Sequence, residues 1–280
     1  MKVTIIITSY NKGPFLRAAI ESALNQKYKD FGILIIDDGS IDESKDVIES
    51  YQKNPLVEIH CQENKGVVET RNKAISLAKG EYVLQLDGDD KLGDNFLSLT
   101  VPILENDKNV GIVYCNTSFF GSKNGFWDLG EFTLEKQLRS NQIVITALFR
   151  KSDFLKTEGY SHDFDKGYED WDLWMSILEL KRTVVKIESV QFYYRILSGS
   201  RNIGISAKIE RELKYNIWKN HQSLYDSIDL NPVNLLWDLE KLKLENKELS
   251  VKVNSIDFKF GRWALSIPRF FIRGWRLLRD

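Results

Sequence analysis

Three carboxylates stand within four residues in the stretch VLQLDGDDKL: Asp87, Asp89 and Asp90. They close an apolar run of strand character, so negative charge gathers at the tip of a buried element. Clustered acids lower stability unless a cation or hydrogen-bond donors compensate them. In extended backbone Asp87 and Asp89 share one side, and Gly88 between them leaves room for a ligand to approach. Oxygen-only ligands of this kind suit Mg²⁺ or Mn²⁺, with substrate phosphates completing the shell. The competing reading is a turn whose aspartates cap a helix beginning near Asp94.

A second acidic group is GYEDWDLW, residues 167–174. Trp171, Trp174 and Leu178 follow a helical i, i+3, i+7 spacing and should face a core, which would hold Glu169 and Asp170 rigidly in a first turn. Acids favour helix amino termini through the dipole, and that alone accounts for many such sites. The sharper reading is a general base at Asp170, because flanking charges on Glu169 and Asp172 favour proton uptake by a carboxylate. Two other apolar runs end in TSYNK and IDDGS. No G-x-x-x-x-G-K-[ST] occurs, and TSYNKGPF after the first strand is not G-x-G-x-x-G. P-loop and dinucleotide-binding chemistries are thereby excluded, and bound phosphates would need a metal.

The elements that must carry these groups alternate. Strand-like runs at 3–8, 32–36, 57–61 and 82–86 are separated by helical stretches from Pro14, Glu43 and Val67, a βαβαβαβ pattern that predicts a mostly parallel sheet over the first 90 residues. Pro14 suits a first helical turn, Ser40 and Glu43 a capping box, and Gly80 a helix C-cap. In open α/β sheets ligands bind beyond the carboxyl ends of the strands, where these acids lie. From Val110 the pattern becomes mixed, with strand candidates VGIVYCNTSFF, IVITALFR and TVVKIESVQFYYRIL and a helix from Glu169.

The 280 residues are 42% apolar and 28% charged, with a formal net charge of -1. This is a globular composition, not that of a nucleic-acid coat, so binding charge must be local. Cys61 and Cys115 are too few for a disulfide framework or zinc site and suit a reducing compartment. No cleavable leader is evident, and no run approaches the roughly 18 apolar residues of a membrane span, so a cytoplasmic location is expected.

Beyond Ile205 the chain turns helical. Leu235, Leu242, Leu249 and Ile256 repeat every seven residues, with Leu239, Asn246 and Val253 between them. Either a short coiled coil forming a homodimer through 235–256 or a helix packed on its own domain fits. The segment 257–280 interleaves Lys259, Arg262, Arg269, Arg273, Arg276 and Arg279 with Trp263, Phe270, Phe271 and Trp275. It reads as an amphipathic contact with an anionic inner leaflet, or as aromatics packed on the protein with solvated arginines.

Taken together, VTIIITSYNKGPFLRAAIESALNQ, ILIIDDGSIDES, NKGVVETRNKAISLAKGEYVLQLDGDD, EGYSHDFDKGYEDWDLW and YYRILSGS resemble family 2 glycosyltransferases of the GT-A fold, the nonprocessive bacterial surface-polysaccharide type. The resemblance covers residues 2–200. It implies an α/β, Rossmann-like, mostly parallel sheet with a mixed second half. A catalytic domain at 1–204 (nucleotide-binding 1–90, acceptor-binding 91–204) would be followed by a helical extension at 205–256. It further implies that Thr8 and Tyr10 contact the base, Asp38 accepts from an imide N–H and so favours uridine or thymidine, and Arg71 lies near base and phosphate. Asp87 and Asp89 would serve the Mn²⁺ or Mg²⁺ that bridges the diphosphate, Asp170 would be the base, and Glu169 would stand beside it. Arg195 and Ser200 would help hold the diphosphate. The implied reaction is inverting transfer from a UDP- or dTDP-sugar to a saccharide or lipid-linked saccharide acceptor. Two departures stand out: Leu197 occupies the place of a histidine common after the YR pair, and no Q-x-x-R-W is present, which argues for one sugar per encounter. The missing histidine is what an alternative, a catalytically silent nucleotide-sugar-binding subunit, would predict.

Overall fold

A computed structural model of the chain describes residues 1–197, 205–230 and 232–254. Ser200, Ile256 and the basic segment 257–280 lie outside the described residues. The strands are β1 (Val3–Ser9), β2 (Phe31–Asp37), β3 (Val57–Cys61), β4 (Tyr82–Asp87), β5 (Lys91–Leu92), β6 (Val110–Gly121), β7 (Gly125–Trp127), β8 (Leu148–Arg150) and β9 (Thr183–Ile196). The helices are α1 (Gly13–Leu24), α2 (Ser44–Glu49), α3 (Val67–Leu77), α4 (Phe96–Asn106), α5 (Leu134–Arg139), α6 (Lys151–Phe154), α7 (Glu169–Glu179), α8 (Ala207–Asn220), α9 (Gln222–Asp226) and α10 (Pro232–Asn254).

The sheet runs β3-β2-β1-β4-β8-β6-β9-β5, with β7 hairpinned onto β6. β3, β2, β1 and β4 are parallel, as the alternating pattern predicts. β8 is antiparallel to both β4 and β6, and β9 runs parallel to β6. Two reversals across β8 restore direction, so β6 and β9 end on the same edge of the sheet as β1, β2 and β4. Of IVITALFR only Leu148–Arg150 is strand. Its preceding residues are nevertheless buried, because they wrap against α7 through the bond from Trp174 Nε1 to the Ile143 carbonyl.

Ile5, Ile6 and Ile7 on β1 are fully buried, as expected for a central strand covered on both faces. α1 buries Leu16, Ala19, Ile20 and Ala23, a 3.6-period stripe, and each such aliphatic side chain removed from water contributes roughly 1.5–3 kcal/mol for the larger ones. Two local expectations fail for tertiary reasons. Ser40 does not cap α2; its hydroxyl accepts from Asn11 N, while Asp42 accepts from Ser44 N and Gly13 N. Gly80 is no C-cap: α3 ends at Ala78 in extended backbone, and a Cβ at Gly80 would lie 2.5 Å from Thr4 N.

The chain divides into compact units at Met1–Tyr225 and Asp226–Asp280. α8 therefore belongs to the first unit, and the boundary falls at the last residue of α9. In the second, α10 spans 23 residues and carries the repeating leucines Leu235, Leu239, Leu242 and Leu249, all exposed. Among the described residues no helix is long and apolar enough to cross a membrane.

Candidate active site

Strand register sets the floor of the site. Thr8 on β1 is paired with Ile36 on β2 and with Asp87 on β4, so the three tips end at one level. Beyond them opens a cavity of about 580 Å³ lined by Thr8, Tyr10, Lys12, Asp38, Arg71, Asp87, Asp89, Arg195 and Leu197, among others. Tyr10 is exposed at its rim, and Thr8 Oγ1 accepts from Gln85 Nε2. Asp38 is buried and already engaged. Its Oδ1 accepts from Gln62 Nε2 and Lys65 N and its Oδ2 from Gly66 N, at 2.8–3.0 Å. A carboxylate offers about four acceptor positions, so roughly one remains for a ligand, and Asp38 also shapes the loop before α3.

The DGDD turn is compensated acid by acid. Asp87 Oδ1 accepts from Arg71 at 2.7 Å, and Asp89 Oδ2 lies 2.5 Å from Lys12 Nζ. Asp90 Oδ1 accepts from Arg195 N at 2.7 Å, while its buried Oδ2 has no hydrogen-bond partner among the described residues. Burial, reinforced by the charges of Asp87 and Asp89, pushes Asp90 well above the usual carboxylate range. Arg195 also donates from Nε to the Asp89 carbonyl, and its guanidinium sits between the rings of Phe15 and Phe120 at 4.5 and 4.2 Å. Gly88 serves the fold more than a ligand: a Cβ there would lie 3.2 Å from Leu16 and from the Thr8 carbonyl.

Arg71, on α3, is the hinge between the two acidic motifs. Only 3% exposed, it donates to Asp87 on one side and to Glu169 Oε1 at 2.6 Å on the other. Burial opposes its charge, yet the two carboxylates more than offset this and hold it protonated. The next residue, Asn72, clamps Tyr160 through both N–H and C=O, and the Tyr160 ring lies 5.7 Å from the Arg71 guanidinium.

α7 follows Tyr168, whose backbone is left-handed at φ 69°, and Gly167 at φ 133° makes the turn that points the helix amino terminus inward. Trp171 and Trp174 anchor it by indole N–H bonds to the carbonyls of Gln137 and Ile143, as their spacing predicts. Asp170 is half-buried. Its Oδ2 accepts from Asn141 Nδ2 at 3.0 Å and its Oδ1 from Trp171 N at 2.8 Å. The charges expected to act on it are both paired elsewhere: Glu169 with Arg71, and Asp172 with His221 at 2.9 Å. Asp170 faces a second cavity, about 600 Å³, walled by Phe119, Trp127, Tyr168 and Ile143 and edged by Glu210 and Lys214 of α8. The two cavities share Arg71, Asp87 and Tyr194.

His221 ties the end of α8 to α7. Burial would lower its pKa, but the carboxylates of Asp172 and Glu179, 2.9 and 3.3 Å away, raise it from 6.5 to about 9. A raised folded pKa stabilises fully below the unfolded value and is lost as pH climbs through the folded one. Urea unfolding should therefore show stability falling between about pH 6.5 and 9, by on the order of 3 kcal/mol. His221→Gln should flatten that slope. An identical slope in the variant would mean that other groups carry it.

The structure thus gathers Thr8, Tyr10, Asp38, Arg71, Asp87, Asp89 and Arg195 around one cavity and sets Glu169 and Asp170 on its neighbour. Sequence reasoning missed Lys12, Asn141, Tyr194 and the α8 pair Glu210 and Lys214. Lys12, inside TSYNK, and Tyr194, inside YYRILSGS, lay in motifs already singled out; Asn141, Glu210 and Lys214 did not. Among the described residues no ready-made group of three or more His, Cys, Asp or Glu side chains surrounds a metal position. The donor set at the turn nonetheless fits a hard cation, for Asp89 already holds a positive charge in the Lys12 ammonium.

The sequence profile of glycosyl transferase family 2 matches residues 4–164. UDP-Glc:alpha-D-GlcNAc-diphosphoundecaprenol beta-1,3-glucosyltransferase WfaP of Escherichia coli is 30% identical over 217 residues, covering 75% of this chain and 82% of that protein. The chain also matches larger curated synthases, of whose length it spans about a fifth (22% and 21%). Among solved structures, Staphylococcus aureus TarS 1-349 in complex with UDP-GlcNAc superposes with a TM-score of 0.66 at 17% identity, covering 81% of this chain and 73% of TarS 1-349. The mannosyltransferase PcManGT of Pyrobaculum calidifontis, in complex with GDP-Man and Mn²⁺, gives 0.57 at 14% identity, covering 92% and 82%. These likenesses carry the GT-A fold. With its profile match spanning more than half of its length, and its motifs brought to the carboxyl edge of one sheet, this chain belongs to glycosyl transferase family 2.

Proposed function

We propose that the protein is an inverting glycosyltransferase that moves one sugar from a UDP- or dTDP-sugar to an acceptor hydroxyl in bacterial surface-polysaccharide synthesis. The observation that carries this reading is the pair of cavities meeting at Arg71, Asp87 and Tyr194, with the acidic strand tips in one and Asp170 in the other. The first, formed mainly by residues 8–90, takes the donor, and the second, formed mainly by residues 119–196, takes the acceptor. WfaP, named for a UDP-Glc donor, and TarS, solved with UDP-GlcNAc, support a uridine nucleotide.

In this mechanism Tyr10 packs on the base, and the remaining acceptor position of Asp38 meets its imide N–H. A divalent cation at Asp89 and Asp87 would act as a Lewis acid toward the charge developing on the diphosphate. Arg195 presents its guanidinium from the aromatic clamp to the same group. Asn141 and the Trp171 amide orient the Asp170 carboxylate, which accepts the acceptor hydroxyl proton as that oxygen bonds to the anomeric carbon. The bond from that carbon to the diphosphate breaks on the opposite face, so configuration inverts in one displacement. Arg71, through Glu169 and Asp87, fixes the distance between the two sites; Glu169 thereby acts as a positioning residue.

A thermal-shift panel tests the donor assignment. UDP or dTDP with Mn²⁺ should raise the melting temperature, by the equivalent of about 2.7 kcal/mol at a hundredfold excess over Kd. GDP should not. A response to guanosine nucleotides alone would overturn the role given to Asp38.

A further inference from the structure

The donor cavity is lined by three cations among the described residues, Lys12, Arg71 and Arg195. Arg71 is buried between Asp87 and Glu169, and Arg195 is held between two rings with its Nε on the Asp89 carbonyl. Lys12 differs. Its ammonium touches Asp89 Oδ2 at 2.5 Å with the lysine side chain 32% exposed and the aspartate 15%. Its backbone does not move freely, because Lys12 N donates to Ser44 Oγ, and Asn11 before it, in a left-handed conformation at φ 52°, is held by Ser40 Oγ and by Ile41 N. A fixed backbone with a flexible four-carbon stem lets the charge swing while its origin stays put.

We propose that Lys12 is the resident counter-ion of Asp89: it withholds that carboxylate from free divalent cations and passes to the diphosphate when nucleotide and metal arrive together. This rests on the donor-cavity reading above. An ammonium at Oδ2 occupies one of the two oxygens of Asp89 and neutralises the carboxylate that a cation there would need, so the two compete for one group. The pair is partly exposed and is therefore readily exchanged for another anion. A diphosphate entering the cavity provides that anion, and an ammonium is a compact point charge suited to it. Leu197 lines the same cavity, so no imidazole stands at that position to hold a metal independently of Asp89. Metal binding should consequently be weak without nucleotide and strong with it.

Calorimetric titration of wild type, K12M and K12R with Mn²⁺ alone, UDP alone and both together tests this without reference to turnover. K12M should bind Mn²⁺ alone about tenfold more tightly, and UDP in the presence of Mn²⁺ about tenfold more weakly, than wild type, with UDP alone little changed, in the range expected when two events share one group. K12R, which keeps the charge, should resemble wild type in both. Adding Asp89→Asn to K12M should remove the gain in Mn²⁺ affinity. If K12M binds Mn²⁺ no better than wild type while wild type still binds UDP with Mn²⁺, the role of Lys12 is overturned and the donor reading stands. If wild type binds UDP under no condition, both fall.

Discussion

Asp170→Asn should lower glycosyl transfer by about 10³-fold while leaving UDP affinity within about twofold, since a positioned base contributes on the order of 10²–10⁴ and the residue lies outside the donor cavity. The substitution is close to isosteric, so its stability cost is confined to local hydrogen bonds. Asp170 accepts from Asn141 Nδ2 and from Trp171 N. An asparagine has one carbonyl oxygen and must turn its amide toward one of those donors, a loss of about 1 kcal/mol. Asn141 cannot readily reverse, because its Oδ1 accepts from Gln137 Nε2 and Ile143 N. Single-turnover transfer measured beside UDP titration separates the two effects. Turnover near the wild-type rate would remove Asp170 from the role of base.

The second large effect should come from Arg71→Met, expected to cost about 3–5 kcal/mol in urea unfolding and to abolish donor binding. The magnitude follows from what is left behind. Removing the guanidinium takes from Glu169, itself buried, and from half-exposed Asp87 the cation they share, and losing an ion-pair partner in a buried site is far more costly than losing one at the surface. Arg139 and Glu135, more than half exposed on α5, provide the contrast: Arg139→Met should change stability by about 1 kcal/mol or less. Arg71→Lys should recover little, because one ammonium cannot present two N–H groups to carboxylates on opposite sides. A loss below about 1 kcal/mol for Arg71→Met would mean that the bridge is not a structural element of the site.

These expectations differ in how far they could be read from the chain alone. The parallel half was legible because its signals are local: strand-length apolar runs, helical periodicity, and acids at predictable tips. α7 was legible for the same reason, its tryptophans recurring on one face and both finding buried carbonyl partners. β8 was not, since three strand residues within a longer apolar run carry no periodicity that marks where pairing begins. The capping roles given to Ser40 and Gly80 failed because both residues answer partners far along the chain, the loop after β1 and the first strand itself.

Sequence by itself determined the class of fold, the family, and which acids stand at strand and helix termini, because residue type and spacing act over one or two turns of chain. Tertiary structure alone decided who neutralises each acid. Arg71 reaches Glu169 across 98 residues and Lys12 reaches Asp89 across 77. Such pairings depend on strand order and register, which no local pattern encodes. The same long-range folding turned three similar aspartates into distinct groups: one bound to a buried guanidinium, one to a partly exposed ammonium, and one buried against the backbone of β9.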